Sequence, residues 1–354
     1  MPSFHPDFLA RLSFTTDQVA ALSALGEARG RQELFVHQQP ERLESLRQVA
    51  VVESTESSNR IEGITAPRHR IEALLLKPTA PRDRSEQEIA GYRDALALIH
   101  ESHAHMPFSV NVLLQLHGML YRYHHAAAGS GFAGRFKMTD NQIVEHRPDG
   151  STRVRFQPTP AVQTPQAMAE FVEGYRLAAQ PPALHPLVGV PLAILDFLCV
   201  HPFSDGNGRV ARLATLLLLY QHGYTVGRYI SLERIFEESK ESYYETLERS
   251  SQGWHDDAHD PHPWLDYFWG AMQRAYSEFE DRVGVLSGGR GSKSELVRDA
   301  ILRRIGPFAI SDIERDCPGV SRELVRLVLR QMRDEGVLVL EGRGRGAKWK
   351  KIQE

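Results

Sequence analysis

The reading of this chain turns on one stretch, His201-Pro202-Phe203-Ser204-Asp205-Gly206-Asn207-Gly208-Arg209-Val210-Ala211-Arg212. A helix is expected to end near His201, with Gly206 and Gly208 freeing the backbone around Asn207 before a new helix begins. The first turn of that helix carries Arg209 and Arg212 on one face at i,i+3 spacing, where the helix dipole disfavours cations. Bare N–H groups and two guanidinium groups at one helix start make sense around a polyanion. Asp205 beside them suits a Mg²⁺ bridged to phosphates through one carboxylate. His201, at the entrance of the loop, is the general-base candidate. Taken singly, these residues read as a helix-end cap, a core anchor and turn glycines. Taken together, eight specified positions at roughly one in twenty each coincide with odds on the order of 10⁻¹⁰.

Outward from this stretch the chain reads as mostly α. Leu43, Leu46, Val49 and Val52 recur at helical spacing in a helix running to Gly63, a natural stop. Further helices are expected over 86–99, 110–123, 165–178, 187–200, 208–221, 232–249 and 263–283. Between them, Gln142–His146 and Arg153–Phe156 flank Pro148-Asp149-Gly150, the pattern of a β-hairpin. The stretch 287–292 has linker composition. Beyond it come three helical segments, a strand from Val337 and a Gly/Arg-rich return to Ile352, the order of a winged helix-turn-helix.

The residues 201–212 resemble the signature of the Fic family, HxFx(D/E)GNGRxxR, at every specified position, and the resemblance extends from about His117 to about Leu247. It implies a Fic-type helical core with a β-hairpin flap and transfer of AMP from ATP, with Mg²⁺, to a Ser, Thr or Tyr hydroxyl of a protein. In that reading His201 is the base, Asp205 binds Mg²⁺ and Phe203 anchors the loop. Gly206, Asn207 and Gly208 hold the α- and β-phosphates, Arg209 the phosphates and Arg212 the γ-phosphate. A glycine at 208, where the kinase branch of the family has lysine, favours nucleotidyl transfer. Tyr243, Tyr244 and Leu247 resemble the segment beside the adenine, with Ser251 as a polar base contact. The segment 138–158 resembles the flap that holds a target by strand addition.

Ser58-Asn59-Arg60-Ile61-Glu62-Gly63 is similar to the family's inhibitory pattern (S/T)xxxE(G/N). Glu62 in the last turn of one helix and Arg212 in the first turn of another both oppose their helix dipoles. Pairing them relieves both and fills the γ-phosphate site, so autoinhibition by Glu62 is expected. Two histidine groups are read without function: His255–His262 as a solvated loop before a helix, and His124-His125 as part of a polar loop.

The composition sets outer limits. With 354 residues, 42% hydrophobic and 25% charged, the chain is long enough for two or three compact units and is neither disordered nor disulfide-stapled. Cys199 and Cys317 read as buried thiols. No membrane segment or export signal is read, so a cytoplasmic protein is expected. The net charge of −3 hides an asymmetry: residues 290–354 hold 15 Lys and Arg against ten acidic groups. The domain reading is 1–107, a helical region with the inhibitory helix at about 41–63; 108–250, the catalytic core; 251–287, a helical extension and linker; and 288–354, the winged helix. The partner reading is a hydroxyl-bearing protein or the chain itself, DNA at the basic C-terminal end, a second copy in a homodimer, and no membrane. Alternatives kept open are a DNA-binding regulator whose core senses nucleotide, a different nucleotide donor, and removal of AMP from modified targets.

Overall fold

The computed structural model describes residues 1–38, 43–76, 79–124, 130–146, 150–181, 183–287, 292–303, 307–317, 320–342 and 347–352. Helices α1 (Pro6–Arg11), α2 (Thr16–Gln38), α3 (Glu44–Ile61), α4 (Arg68–Leu76), α5 (Arg84–Ser102) and α6 (Val110–Leu120) precede a hairpin of β1 (Ile143–His146) and β2 (Thr152–Phe156). Next come α7 (Thr164–Ala178), α8 (Pro186–Val200), α9 (Asn207–Gln221), α10 (Leu232–Glu238), α11 (Lys240–Ser251) and α12 (His262–Ser287). The chain continues through α13 (Ser292–Arg303), α14 (Ile310–Asp316), α15 (Arg322–Asp334), β3 (Leu338–Glu341) and β4 (Lys348–Lys351). Pro148, Asp149, His125, the linker residues 288–291 and the wing residues 343–346 lie outside the described residues.

Two compact units result, one of residues 1–31 and 50–276, the other of residues 32–49 and 277–354. The first unit thus takes in residues 1–31 and 50–107 of the N-terminal region, the whole of 108–250 and most of the extension, while residues 32–49 belong to the second. At its centre is α8, whose Leu187, Val188, Val190, Leu192, Ile194, Leu195, Phe197 and Val200 are all buried. A helix apolar on every side belongs inside a core, and each such leucine withdrawn from water contributes about 1.5–3 kcal/mol. Pro191 in mid-helix has no N–H to offer the carbonyl four residues back. That carbonyl, Leu187 O, instead accepts from the Trp269 indole at 2.7 Å, and Pro191 O accepts from Trp264 at 2.8 Å. Both indoles lie on α12, so the break in the ladder becomes an attachment point. Nearby, α5 and α6 approach so closely that a Cβ on Gly91 would overlap the Leu120 carbonyl.

Two expectations are corrected. The helix expected over 232–249 is broken at Ser239, whose hydroxyl bonds back to Ile235 O at 2.8 Å and competes with the helical ladder. The loop 255–262 is not solvated throughout: His259 is buried and stacks on Phe8 with ring centres 4.3 Å apart.

The second unit contains α13, α14, α15 and the antiparallel β3–β4 hairpin, with Leu338 opposite Lys351 and Leu340 opposite Trp349. Val297, Ile301, Phe308, Ile313, Val325, Leu329, Met332 and Trp349 form its core. Phe308 also bridges to Trp349 through the backbone. This is the helix–helix–helix–hairpin order expected of the C-terminal segment. Cys199 and Cys317 are both buried. Among the described residues, no helix is long and apolar enough to cross a membrane.

Candidate active site

The α8–α9 connection is built almost entirely from side chains turned back on the backbone. His201 ends α8 in the left-handed region, at φ 48 and ψ 60, an uncommon conformation for a non-glycine residue. Its Nδ1 lies 3.2 Å from Leu198 O; with the proton on Nδ1, the bond leaves Nε2 as the basic nitrogen. Burial lowers the imidazole pKa to about 4, the Leu198 carbonyl and the Glu62 and Asp205 charges opposing the shift and Lys137 adding to it. The ring is therefore neutral near pH 7 and can accept a proton.

Phe203 is fully buried and stacks on His117, with centroids 3.9 Å apart and planes 1° from parallel. His117 Nδ1 accepts from Gly134 N at 2.9 Å, so Nε2 carries the proton that it donates to Asp205 O at 3.1 Å. Asn207 closes the loop from inside: Oδ1 accepts from Phe203 N at 2.9 Å and Nδ2 donates to Phe203 O at 2.8 Å. Only the main chain of Asn207 thus remains to face a ligand. Gly206, at φ 80, begins α9 without a side-chain cap; a Cβ there would meet the Tyr121 hydroxyl at 2.9 Å.

Two residues with no motif signature hold the loop from the other side. The Lys137 ammonium donates to Val200 O at 3.1 Å, at the C-terminal end of α8, and to Asn141 Oδ1 at 2.8 Å. Asn141 Nδ2 in turn donates to Phe203 O at 3.0 Å. Burial lowers the Lys137 pKa to about 8.

The two arginines expected on one face serve different places. Arg209 is fully buried and pairs with Glu88 at 2.6 Å while donating to the Tyr121 hydroxyl at 2.8 Å. It does not line the cavity described below, and its side chain satisfies a buried carboxylate in this structure. Glu88 also pairs with Arg84 at 2.8 Å and has His124 at 3.7 Å. His124 is thus packed against a carboxylate, not set in a polar loop. Arg212 lies in the second turn of α9, not the first; its Nε donates to Ser58 Oγ at 2.8 Å and its Nη2 to Ser58 O at 2.8 Å and Glu62 Oε1 at 2.7 Å. Nη1 of Arg212 is buried without a hydrogen-bond partner among the described residues.

Glu62 reaches Arg212 because α3 stops where it does. Ile64 N bonds to Asn59 O and Gly63 N to Arg60 O, with Gly63 at φ 78, the Schellman pattern with glycine at C′. Glu62 is then the C-cap residue, and its carboxylate projects across the start of α9. A Cβ on Gly208 would overlap Glu62 Oε1. The end of α3 is further secured by Lys240, whose ammonium donates to Ile61 O at 2.7 Å.

Glu62, His201, Gly208 and Arg212 line a cavity of about 540 Å³, within the usual range for small-molecule sites. Ile143, Phe156, Leu198, Tyr243, Tyr244, Leu247 and Ser251 line the same cavity. Tyr243 and Ser251 are buried, and the Ser251 hydroxyl donates to Glu248 O at 2.9 Å. The β1–β2 hairpin forms part of the cavity wall and is joined to α11 by ion pairs of Arg153 and Arg155 with Glu248. Asp205 stands outside the buried network: its side chain is 54% exposed, with Oδ2 3.8 Å from Arg84 and 3.9 Å from Arg209. An exposed carboxylate beside an uncapped helix start fits a magnesium ion that takes its other ligands from phosphates and water.

With this geometry in hand, comparisons with known proteins are specific. Residues 107–219 match the family model described as Fic/DOC family. The chain is 24% identical over 203 residues, 55% of its length, to the protein adenylyltransferase Fic of Nematostella vectensis, covering 42% of that protein. It is 28% identical over 120 residues to the protein adenylyltransferase Fic of Culex quinquefasciatus, covering 34% of this chain and 21% of that one. It therefore spans less than half the length of both curated relatives. Among solved structures, a Fic family protein from Desulfovibrio desulfuricans G20 superposes with a TM-score of 0.61 at 21% identity, covering 97% of this chain and 98% of that one. A Fic domain containing signaling protein from Bacteroides thetaiotaomicron gives a TM-score of 0.59 at 20% identity over 72% of this chain and 94% of that one. At these identities the structural likeness speaks to the fold.

Proposed function

Because this chain carries a Fic/DOC domain over residues 107–219, we propose that it transfers AMP from ATP to a hydroxyl side chain of a protein and is held inactive by Glu62. The observation that carries the proposal is a single cavity lined by His201, Gly208 and Arg212 together with the aromatic rings of Tyr243 and Tyr244. That shape suits a triphosphate at the α9 start and a base between the hairpin and α11. The main-chain N–H groups at 207 and 208 and the Arg212 guanidinium oppose the phosphate charge, the Gly206 N–H being taken by Asp205 Oδ1 at 2.6 Å. Asp205 would hold Mg²⁺, which supplies charge neutralisation at the phosphates when bound.

The target hydroxyl presents its oxygen to the α-phosphorus while His201 Nε2 takes the proton. The oxygen–phosphorus bond forms, the bond from the α-phosphorus to the bridging oxygen breaks, and pyrophosphate leaves. The Leu198 carbonyl fixes which nitrogen of His201 is basic, and the Lys137–Asn141 clasp fixes where the ring stands. Arg209 acts through the Glu88–Tyr121 pairing that keeps α9 in place, not as a phosphate ligand.

Regulation follows from electrostatics. In the resting state the Glu62 carboxylate occupies the partner that a γ-phosphate would need, and it adds negative charge where a triphosphate must enter. Ser58 holds Arg212 in the orientation that Glu62 meets. Replacing Glu62 with glycine frees Arg212 without touching His201. Incorporation of label from α-phosphate-labelled ATP into protein is expected to rise at least tenfold in Glu62→Gly; equal or lower incorporation would overturn the inhibitory role.

A further inference from the structure

The second unit carries a charged feature that AMP transfer does not use. Successive helical residues advance by about 100°, so Arg322, Arg326, Arg330 and Arg333 of α15 fall within an arc of about 80°. All four are exposed, while Val325, Val328, Leu329 and Met332 of the same helix are buried in the core of the unit. Arg322 shares Glu314 at 3.3 Å, and Arg333 pairs with its neighbour Asp334 at 2.8 Å. Arg326 and Arg330, in the middle of the stripe, have no ion pair among the described residues. Like charges at i,i+4 spacing weaken a helix, so the stripe is unfavourable until an extended anion lies along it.

The surroundings narrow the class of anion. Leu327, 48% exposed, is the sole large exposed hydrophobic on α15 among the described residues, which leaves little apolar surface for a protein partner. The rise from Arg322 to Arg333 is about 16 Å, enough to span a B-DNA major groove about 12 Å wide. On β4, Lys348 and Lys350 are exposed on either side of the buried Trp349. The helix–helix–helix–hairpin order is that of folds that seat their third helix in the major groove.

We propose that α15 binds duplex DNA through its arginine stripe, with Arg326 and Arg330 as the central phosphate contacts. The unit then gives the chain a second binding activity, carried by residues other than those around His201.

Fluorescence anisotropy with the full chain and a labelled 25-base-pair DNA duplex tests this, with salt varied from 50 to 200 mM. Four phosphate contacts predict that log affinity falls with log salt at a slope of about −3.6. Arg326→Gln/Arg330→Gln is expected to weaken binding at least tenfold at 100 mM salt and to reduce that slope by about 2. Arg298→Gln, whose guanidinium is paired with Glu335, should leave both unchanged and controls for folding of the unit. An RNA duplex of the same sequence, with its narrow major groove, should bind at least tenfold more weakly. No binding at 50 mM salt, an unchanged slope in the double variant, or equal binding of the RNA duplex would overturn the proposal.

Discussion

Replacing Glu88 with alanine separates two possible uses of Arg209. The Glu88 and Arg209 side chains are 3% and 1% exposed, and their 2.6 Å contact is reinforced by the Tyr121 hydroxyl. Removing one member of a buried pair leaves the other charge uncompensated and costs about 3–5 kcal/mol. For a domain of roughly 150–250 residues, each kcal/mol moves the melting temperature by about 2–4 °C. The Glu88→Ala protein should therefore melt about 6–20 °C below wild type in differential scanning fluorimetry. Arg84→Ala removes another partner of Glu88, but Arg84 is 71% exposed, so its melting temperature should stay within about 2 °C of wild type. If Arg209 is instead a phosphate ligand that Glu88 merely occupies at rest, Glu88→Ala should melt near wild type and gain affinity for ATP. That pattern would refute the structural assignment of Arg209.

Two further outcomes concern pH. His201 has a pKa lowered to about 4, and the Glu62 charge works against that shift, so removing Glu62 lowers it further. With Mg²⁺ in excess, kcat/KM of the Glu62→Gly protein should stay flat from pH 8 down to pH 6 and fall only below pH 5; a limb at pH 6.5 or above would contradict His201 as the base. Asp196 is fully buried, and burial raises its pKa to about 6, the Ser3 and Trp254 hydrogen bonds opposing the shift. A carboxyl raised in the folded state contributes stability that is full below about pH 4 and is lost as pH rises through 6. Asp196→Asn should thus raise the melting temperature at pH 8, by an amount worth at most about 3 kcal/mol, with the gap closing at pH 4. A gap that is constant with pH would exclude that titration.

What was readable in advance followed from local pattern. Residues 201–212 fix loop, helix start and base candidate within one turn and a half, so their meaning survives without knowing their neighbours. The stop at Gly63 and the turn signal of Pro148-Asp149-Gly150 between two extended segments are likewise local. What escaped notice depended on distant partners. Arg209 and Arg212 share a helical face in sequence, yet Glu88 draws one away and Ser58 with Glu62 draws the other. Asn207 reads as a ligand residue, but its amide is spent on Phe203. Lys137 and Asn141 lie some 60 residues before the loop they clasp, and nothing in their own neighbourhood marks them. His259 is buried because Ser3 and Phe8 cover it from the other end of the chain.

The central claim is that AMP is transferred from ATP to a protein hydroxyl with His201 as the base, once Glu62 is removed. Its most direct test is to incubate the wild type, Glu62→Gly and Glu62→Gly/His201→Ala with ATP labelled at either the α- or the γ-phosphate and to follow protein-bound label. The account predicts label from the α position only, increased in Glu62→Gly and abolished when His201 is also replaced. Label from the γ position, or α label that persists without His201, would contradict it.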